Sequence, residues 1–117
     1  MGHRDLLDLD HLDRYVAGDF VLRDEVLAIF EDQAAMWLRT LDPMADDQAW
    51  RDAAHSLKGA ARGVGAWDVG HACEQAEKMI GDARDEAARQ AKLDEIEGHV
   101  GRVIEEVRKL RDLSPAS

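Results

Sequence analysis

In the stretch "AHSLKGAARGVG", Ala54 to Gly65, one imidazole, two cations and three glycines sit in a run that otherwise reads as helix. A histidine with its ordinary pKa of about 6.5 is substantially neutral near pH 7, and a ring nitrogen then carries a lone pair able to attack phosphorus. Lys58 stands three residues beyond His55 and so lies one turn along the same face. An ammonium group there would hold phosphoryl oxygens as a mobile point charge. Gly59, four residues beyond, leaves bare backbone beside the imidazole. Imidazole, cation and bare backbone together suit phosphoryl transfer, in which proteins work mainly by positioning and by neutralising charge on the equatorial oxygens.

The glycines strengthen this reading because they oppose helix formation. Each interior glycine costs about 1 kcal/mol relative to alanine, so Gly59 and Gly63 together remove about 2 kcal/mol. Gly63, near the expected helix end, is read as allowing a close helix crossing. Gly59 has no such reason, and its missing side chain opens a shallow floor that another protein can approach. On a wheel at about 100° per residue with Trp50 at zero, Ala53, Ala54, Leu57, Ala61 and Val64 fall within about 60° and form a buried stripe. His55 falls near 140°, outside that stripe, with Arg51, Lys58, Gly59 and Arg62 around it. His3, His11, His71 and His99 lack such surroundings and read as satisfied or idle residues.

The elements that must carry this face are helical throughout. Ala, Leu, Glu, Asp and Arg dominate, and two Phe and one Tyr leave little material for strands. "DLLDLDHLDRYVAG" is a short helix with Leu6, Leu9, Leu12, Val16 and Ala17 inward and Gly18 ending it. A second helix runs from about Asp19 to Leu41 on a stripe of Phe20, Val21, Leu27, Phe30, Ala34, Trp37, Leu38 and Leu41. "LDPMADD" interrupts it, and a third helix spans roughly Asp46 to Val64, closed by Gly65 in a left-handed conformation. A fourth repeats Val69, Ala72, Cys73, Ala76, Met79 and Ile80 and stops at Gly81. Asp82 then caps a long last helix with Leu93, Ile96, Val100, Val103, Ile104, Val107 and Leu110 inward. Short connections favour antiparallel neighbours, so the expected architecture is all-α: an up-down four-helix bundle with an additional short N-terminal helix. The 117 residues form one domain, with a core from about 9 to 110 and a frayed tail at 114–117.

Composition excludes several classes of function. Apolar residues make up 45% and charged residues 34%, the balance of a folding chain. With 15 basic against 25 acidic side chains and a net charge of -10, the chain is ill suited to nucleic acid or to anionic membranes. No apolar run approaches a membrane span, and "MGHRDLLDLD" has no signal-peptide core. Cys73 alone permits no internal disulfide, which points to the cytoplasm. It lies on an apolar stripe with no base beside it, so no catalytic dyad is expected. No Glu-x-x-His pair occurs, Asp68 with His71 having aspartate at that spacing and Glu95 with His99 being one residue farther apart, so no metal or other cofactor is expected. No phosphate-binding loop of the G-x-x-x-x-G-K-[ST] kind occurs.

At these residues the sequence resembles the histidine-containing phosphotransfer domains of multistep phosphorelays. "AHSLKGAARGVGA" fits the family pattern of alanine, phosphorylatable histidine, any residue, leucine, lysine, glycine, small residues and a further glycine. "DFVLRDEVLAIFED" and "CEQAEKM" resemble the segments before and after it, so the likeness extends from about Leu9 to Leu110. The resemblance implies that His55 is phosphorylated on Nε2, that Lys58 stabilises the phosphoryl group and that Gly59 admits the partner. It also implies a carrier and no kinase, one that takes the group from a receiver-domain aspartate and gives it to another, downstream of a sensor or hybrid histidine kinase. In some members a glutamine on the following helix hydrogen-bonds the histidine. The matching position here is Glu77, whose carboxylate would accept from the imidazole but repel a phosphoryl group; on the other reading it is a solvated helix residue. Ala66, Trp67 and Met44 are the candidate docking fringe, and a bundle that buries its own stripes is expected to be monomeric. The competing reading is an adaptor bundle that binds partners without chemistry, which leaves Gly59 and the basic ring unexplained.

Overall fold

The computed structural model describes residues 6–112, and all regular structure among them is helical. The helices are α1 (Leu9–Val16), α2 (Phe20–Thr40), α3 (Asp47–Gly63), α4 (Trp67–Glu77) and α5 (Glu86–Asp112), with a 3₁₀ turn at Gly81–Ala83 before the last. α2, α3, α4 and α5 pack in chain order and α5 closes the ring on α2, while α1 lies against α2. This is the expected up-down bundle with its short extra helix. The tail at 114–117 lies outside the described residues.

Aspartates start four of the five helices. Asp8, Asp19, Asp46 and Asp85 each accept hydrogen bonds from backbone N–H groups of the first turn that have no partner within the helix. The last of these corrects the expected cap. Asp82 lies in the 3₁₀ turn, because Gly81 adopts φ +59° and donates its N–H to Asp47 Oδ2 at 2.9 Å, which diverts the chain before α5 begins. α4 accordingly stops at Glu77, and Met79 and Ile80 pack half-buried beyond its end.

The stripe of α3 is buried as its periodicity implies: Trp50, Ala53, Ala54, Leu57, Ala61 and Val64 face Leu27, Phe30 and Ala34 of α2, Val69 to Ala76 of α4 and Ile96 to Val107 of α5 within one core. Phe20 and Val21 depart from expectation, being 51% and 67% exposed, because the first turn of α2 projects beyond the core. Ala17 also departs. It ends α1 in a left-handed conformation at φ +52°, and Leu7, one residue from the expected Leu6, is buried.

Three polar contacts fix the ends of the site helix. Trp50 Nε1 donates to Ala76 O at 2.7 Å, tying the start of α3 to the end of α4. The wholly buried Arg89 of α5 donates to Met79 O, Pro43 O and Ala45 O and pairs with Asp47 Oδ1 at 2.8 Å, its guanidinium 4.8 Å from the Trp50 ring. Gly65, at φ +79°, ends the α3 turn as expected and accepts from Asp8 N at 2.9 Å. A β-carbon there would stand 2.9 Å from Asp8 Cβ, so the glycine is also what allows α1 to dock.

Candidate functional site

His55 projects from the outer face of α3 with 69% of its side chain exposed. Its Nδ1 lies 3.2 Å from Glu77 Oε1, on the last turn of α4. An ionised carboxylate can only accept, so this contact puts a proton on Nδ1, and in the neutral ring the lone pair is then on Nε2. Among the described residues Nε2 has no hydrogen-bond partner. The second carboxylate oxygen, Oε2, pairs with Lys58 Nζ at 2.5 Å. Burial pushes the Glu77 carboxyl up, but hydrogen bonds from Lys58 and His55 outweigh it and hold the group below the ordinary range. Glu77 is therefore no solvated helix residue: only 18% of its side chain is exposed, and it bridges the imidazole and the ammonium.

The rest of the basic face is not free either. Arg62 pairs with Glu74 of α4 at 2.6 Å, which lowers the Glu74 pKa. Its aliphatic stem lies against Gly70, where a β-carbon would stand 3.1 Å from Arg62 Cγ. Arg51 turns along its own helix, 3.4 Å from Gln48 Oε1. Two carboxylates of α4 thus neutralise two of the three cations around His55. Glu74 and Gly70 were not singled out from the sequence, although Glu74 lies one turn before Glu77 and so shares its face.

Gly59 is exposed, and a β-carbon there would meet nothing within 4 Å. The same holds for Gly63, which corrects the expected close helix crossing: no neighbouring chain requires a glycine there. Both instead floor a groove of about 270 Å³ between α3 and α2, walled by Val26, Ile29, Phe30 and Gln33 and by Tyr15 of α1. Tyr15 and Ile29 are 64% and 55% exposed and form the apolar rim beside the histidine face. Ile29 was legible as an apolar residue off the buried stripe of α2. The expected fringe is corrected at Ala66, which is fully buried. Met44 is exposed, whereas Trp67 is 37% exposed and engaged with α1, donating to Asp8 Oδ2 at 2.9 Å and meeting the His11 ring edge-on.

His71, His99 and Cys73 are each engaged or buried where His55 Nε2 is open. His99 is held at both ring nitrogens, Nδ1 by Arg102 at 2.9 Å and Nε2 near Glu95 at 3.5 Å, and His71 Nε2 lies 3.3 Å from Gln75. The Cys73 thiol is buried and pushed up to about 12 by desolvation and then by the Glu77 charge, so it stays protonated. Among the described residues no three His, Cys, Asp or Glu side chains gather as a metal site.

Residues 24–111, which contain His55, Lys58, Glu77 and all of the groove but Tyr15, match the family model of the Hpt domain. The chain belongs to the Hpt family. Its structure is also similar to the crystal structure of the histidine phosphotransferase ShpA from Caulobacter crescentus, with 38% identity, a TM-score of 0.63 and coverage of 94% of this chain and 100% of that one. No curated protein matches the chain. As an Hpt domain it serves histidine phosphotransfer in two-component phosphorelays, carrying phosphoryl groups among kinases and receiver domains. None of the described helices is long and apolar enough to cross a membrane.

Proposed function

We propose that His55 is the residue that carries the phosphoryl group, receiving it from a receiver-domain aspartyl phosphate and passing it to the aspartate of a second receiver. The Nε2 lone pair attacks phosphorus, the P–O bond to the aspartyl carboxylate breaks, and its electron pair leaves with that carboxylate. The Nδ1 proton stays hydrogen-bonded to Glu77 throughout. Delivery is the reverse displacement on the second receiver. Any magnesium ion belongs to the receiver, and the phosphoryl group enters the relay at a sensor or hybrid kinase.

The observation that carries this reading is one exposed imidazole with Nδ1 held, Nε2 open, Lys58 within reach and a groove starting one turn away at Gly59. Lys58 exchanges Glu77 for the incoming phosphoryl oxygens, and the groove seats the receiver. The chain acts as a monomer in the cytoplasm on this reading, with its lone thiol buried and reduced.

The test is incubation with phosphoramidate and measurement of intact mass. A single adduct lost in acid, kept in alkali and absent from His55→Gln is the expected result. An unchanged adduct in that variant refutes the assignment. Substitution at so exposed a position shifts stability by under about 0.5 kcal/mol, so the variant folds.

A further inference from the structure

Resting on the reading of His55 as the phosphorylated residue, we infer that Glu77 sets the lifetime of the phosphohistidine, making it short-lived and readily transferred at neutral pH by holding a proton on the far side of the ring. The arrangement on the page is a largely buried carboxylate 3.2 Å from Nδ1, on the side of the ring opposite the reacting nitrogen. When Nε2 bears a phosphoryl group, the ring is either neutral or protonated at Nδ1. From the protonated form, an acceptor oxygen attacks phosphorus, the N–P bond breaks and its electron pair returns to Nε2. The leaving group is then neutral imidazole with its Nδ1–H intact. From the unprotonated form the same displacement must expel an imidazolate, a far poorer leaving group. A carboxylate within 4 to 6 Å of a cation typically favours the charged form by about 1 to 3 pKa units.

The charged groups around the ring decide how much of this survives. On α3, Lys58 opposes ring protonation in the resting state, but the phosphoryl oxygens draw it from Glu77 and leave both carboxylate oxygens to the ring. On α4, Glu74 is engaged by Arg62 and Cys73 stays a neutral thiol. Arg51 is turned toward Gln48, Asp52, one turn before His55, accepts from Gln48 Nε2 at 2.7 Å, and α2 presents the uncharged Gln33 to the groove. Glu77 is thus the carboxylate in contact with the ring. A glutamine in its place keeps an acceptor for Nδ1 in its amide oxygen, while it removes the charge and turns an NH2 donor toward Lys58. Glu77 acts through the ring and is a positioning residue.

The experiment compares wild type, Glu77→Gln and His55→Gln after loading with phosphoramidate, with the donor removed and the loss of adduct followed across a range of pH around neutrality. Wild type and Glu77→Gln are each loaded with excess donor to the same starting amount of adduct, whatever time that takes, and only the subsequent loss is compared. The midpoint of the loss-rate profile of Glu77→Gln should lie about one pH unit lower, and its adduct should last about tenfold longer at neutral pH. The ring's protonation midpoint in phosphorylated wild type, read by ¹⁵N NMR and compared with the same sample unfolded in urea, gives the shift without any substitution. Equal midpoints in the folded and unfolded samples, or an unchanged profile in Glu77→Gln, overturn the role of Glu77 and leave His55 as the carrier. An adduct that persists in His55→Gln, or none in wild type, overturns both.

Discussion

Replacing Gly59 with alanine should make the protein more stable and worse at its task. Gly59 lies in the middle of α3 with ordinary helical φ and nothing within 4 Å of an added β-carbon, so the intrinsic preference for alanine, about 1 kcal/mol, applies without a steric offset. For a domain of this size that raises Tm by about 4 °C. The same β-carbon stands on the floor of the groove proposed as the receiver's seat, and an extra carbon in a packed contact costs about 1 to 3 kcal/mol, or about 5- to 150-fold in transfer from a phosphorylated receiver. Phosphoramidate is small and needs no groove, so loading by that donor should be unchanged. Thermal unfolding by circular dichroism, with transfer measured from both donors, reads all three quantities. A lower Tm would mean that the glycine serves the fold, and wild-type transfer from the receiver would refute the groove as its seat. Gly65→Ala is the contrast: at φ +79° and 2.9 Å from Asp8 Cβ it should destabilise by more than about 1 kcal/mol.

Arg89→Ala should lower stability in urea by about 3 to 5 kcal/mol, because it takes the donor from the carbonyls of Met79, Pro43 and Ala45 and leaves a void beside Trp50, while Asp47 keeps Gly81 and Arg84; a loss under about 1 kcal/mol would show that the carbonyls find other partners. Stability should be flat near neutrality and fall below about pH 4, since Asp47, held low mainly by the Gly81 N–H and also by Arg84 and Arg89, and Glu77 both have folded pKa values beneath their unfolded ones. That contribution is complete above the unfolded values and disappears as pH drops through the folded ones, so Asp47→Asn should lose stability at neutral pH and show a shallower acid limb in urea titrations at successive pH.

The helices and the buried face of α3 were legible because 3.6-residue periodicity is a local property: Trp50, Leu57 and Ala61 announce their side from spacing alone. His55, Lys58 and Gly59 were legible for the same reason, lying on one helix within two turns. Contacts between elements were not. That Glu77 lands between His55 and Lys58 depends on how α4 lies along α3, and Glu74 on Arg62 follows from the same packing. Arg89 reads as a solvated residue in a polar helical stretch, and only the carbonyls exposed by the break at Pro43 and the end of α4 give its guanidinium a reason to be buried. The Asp82 cap failed because Gly81 found Asp47, a partner 34 residues away. Ala66 was misplaced because the tight turn after Gly65 folds it inward.

The rim of the groove belongs to elements that take no part in holding the imidazole. The groove floor is the bare backbone of α3, but its rim, Tyr15, Val26, Ile29 and Gln33, comes from α1 and α2, which give the imidazole no hydrogen bond. With the groove as the proposed receiver seat, changes in that rim should alter which receiver is served while His55, Lys58 and Glu77 stay as they are. Rewiring of the circuit by substitution therefore has a natural place to begin on the outer turns of α2.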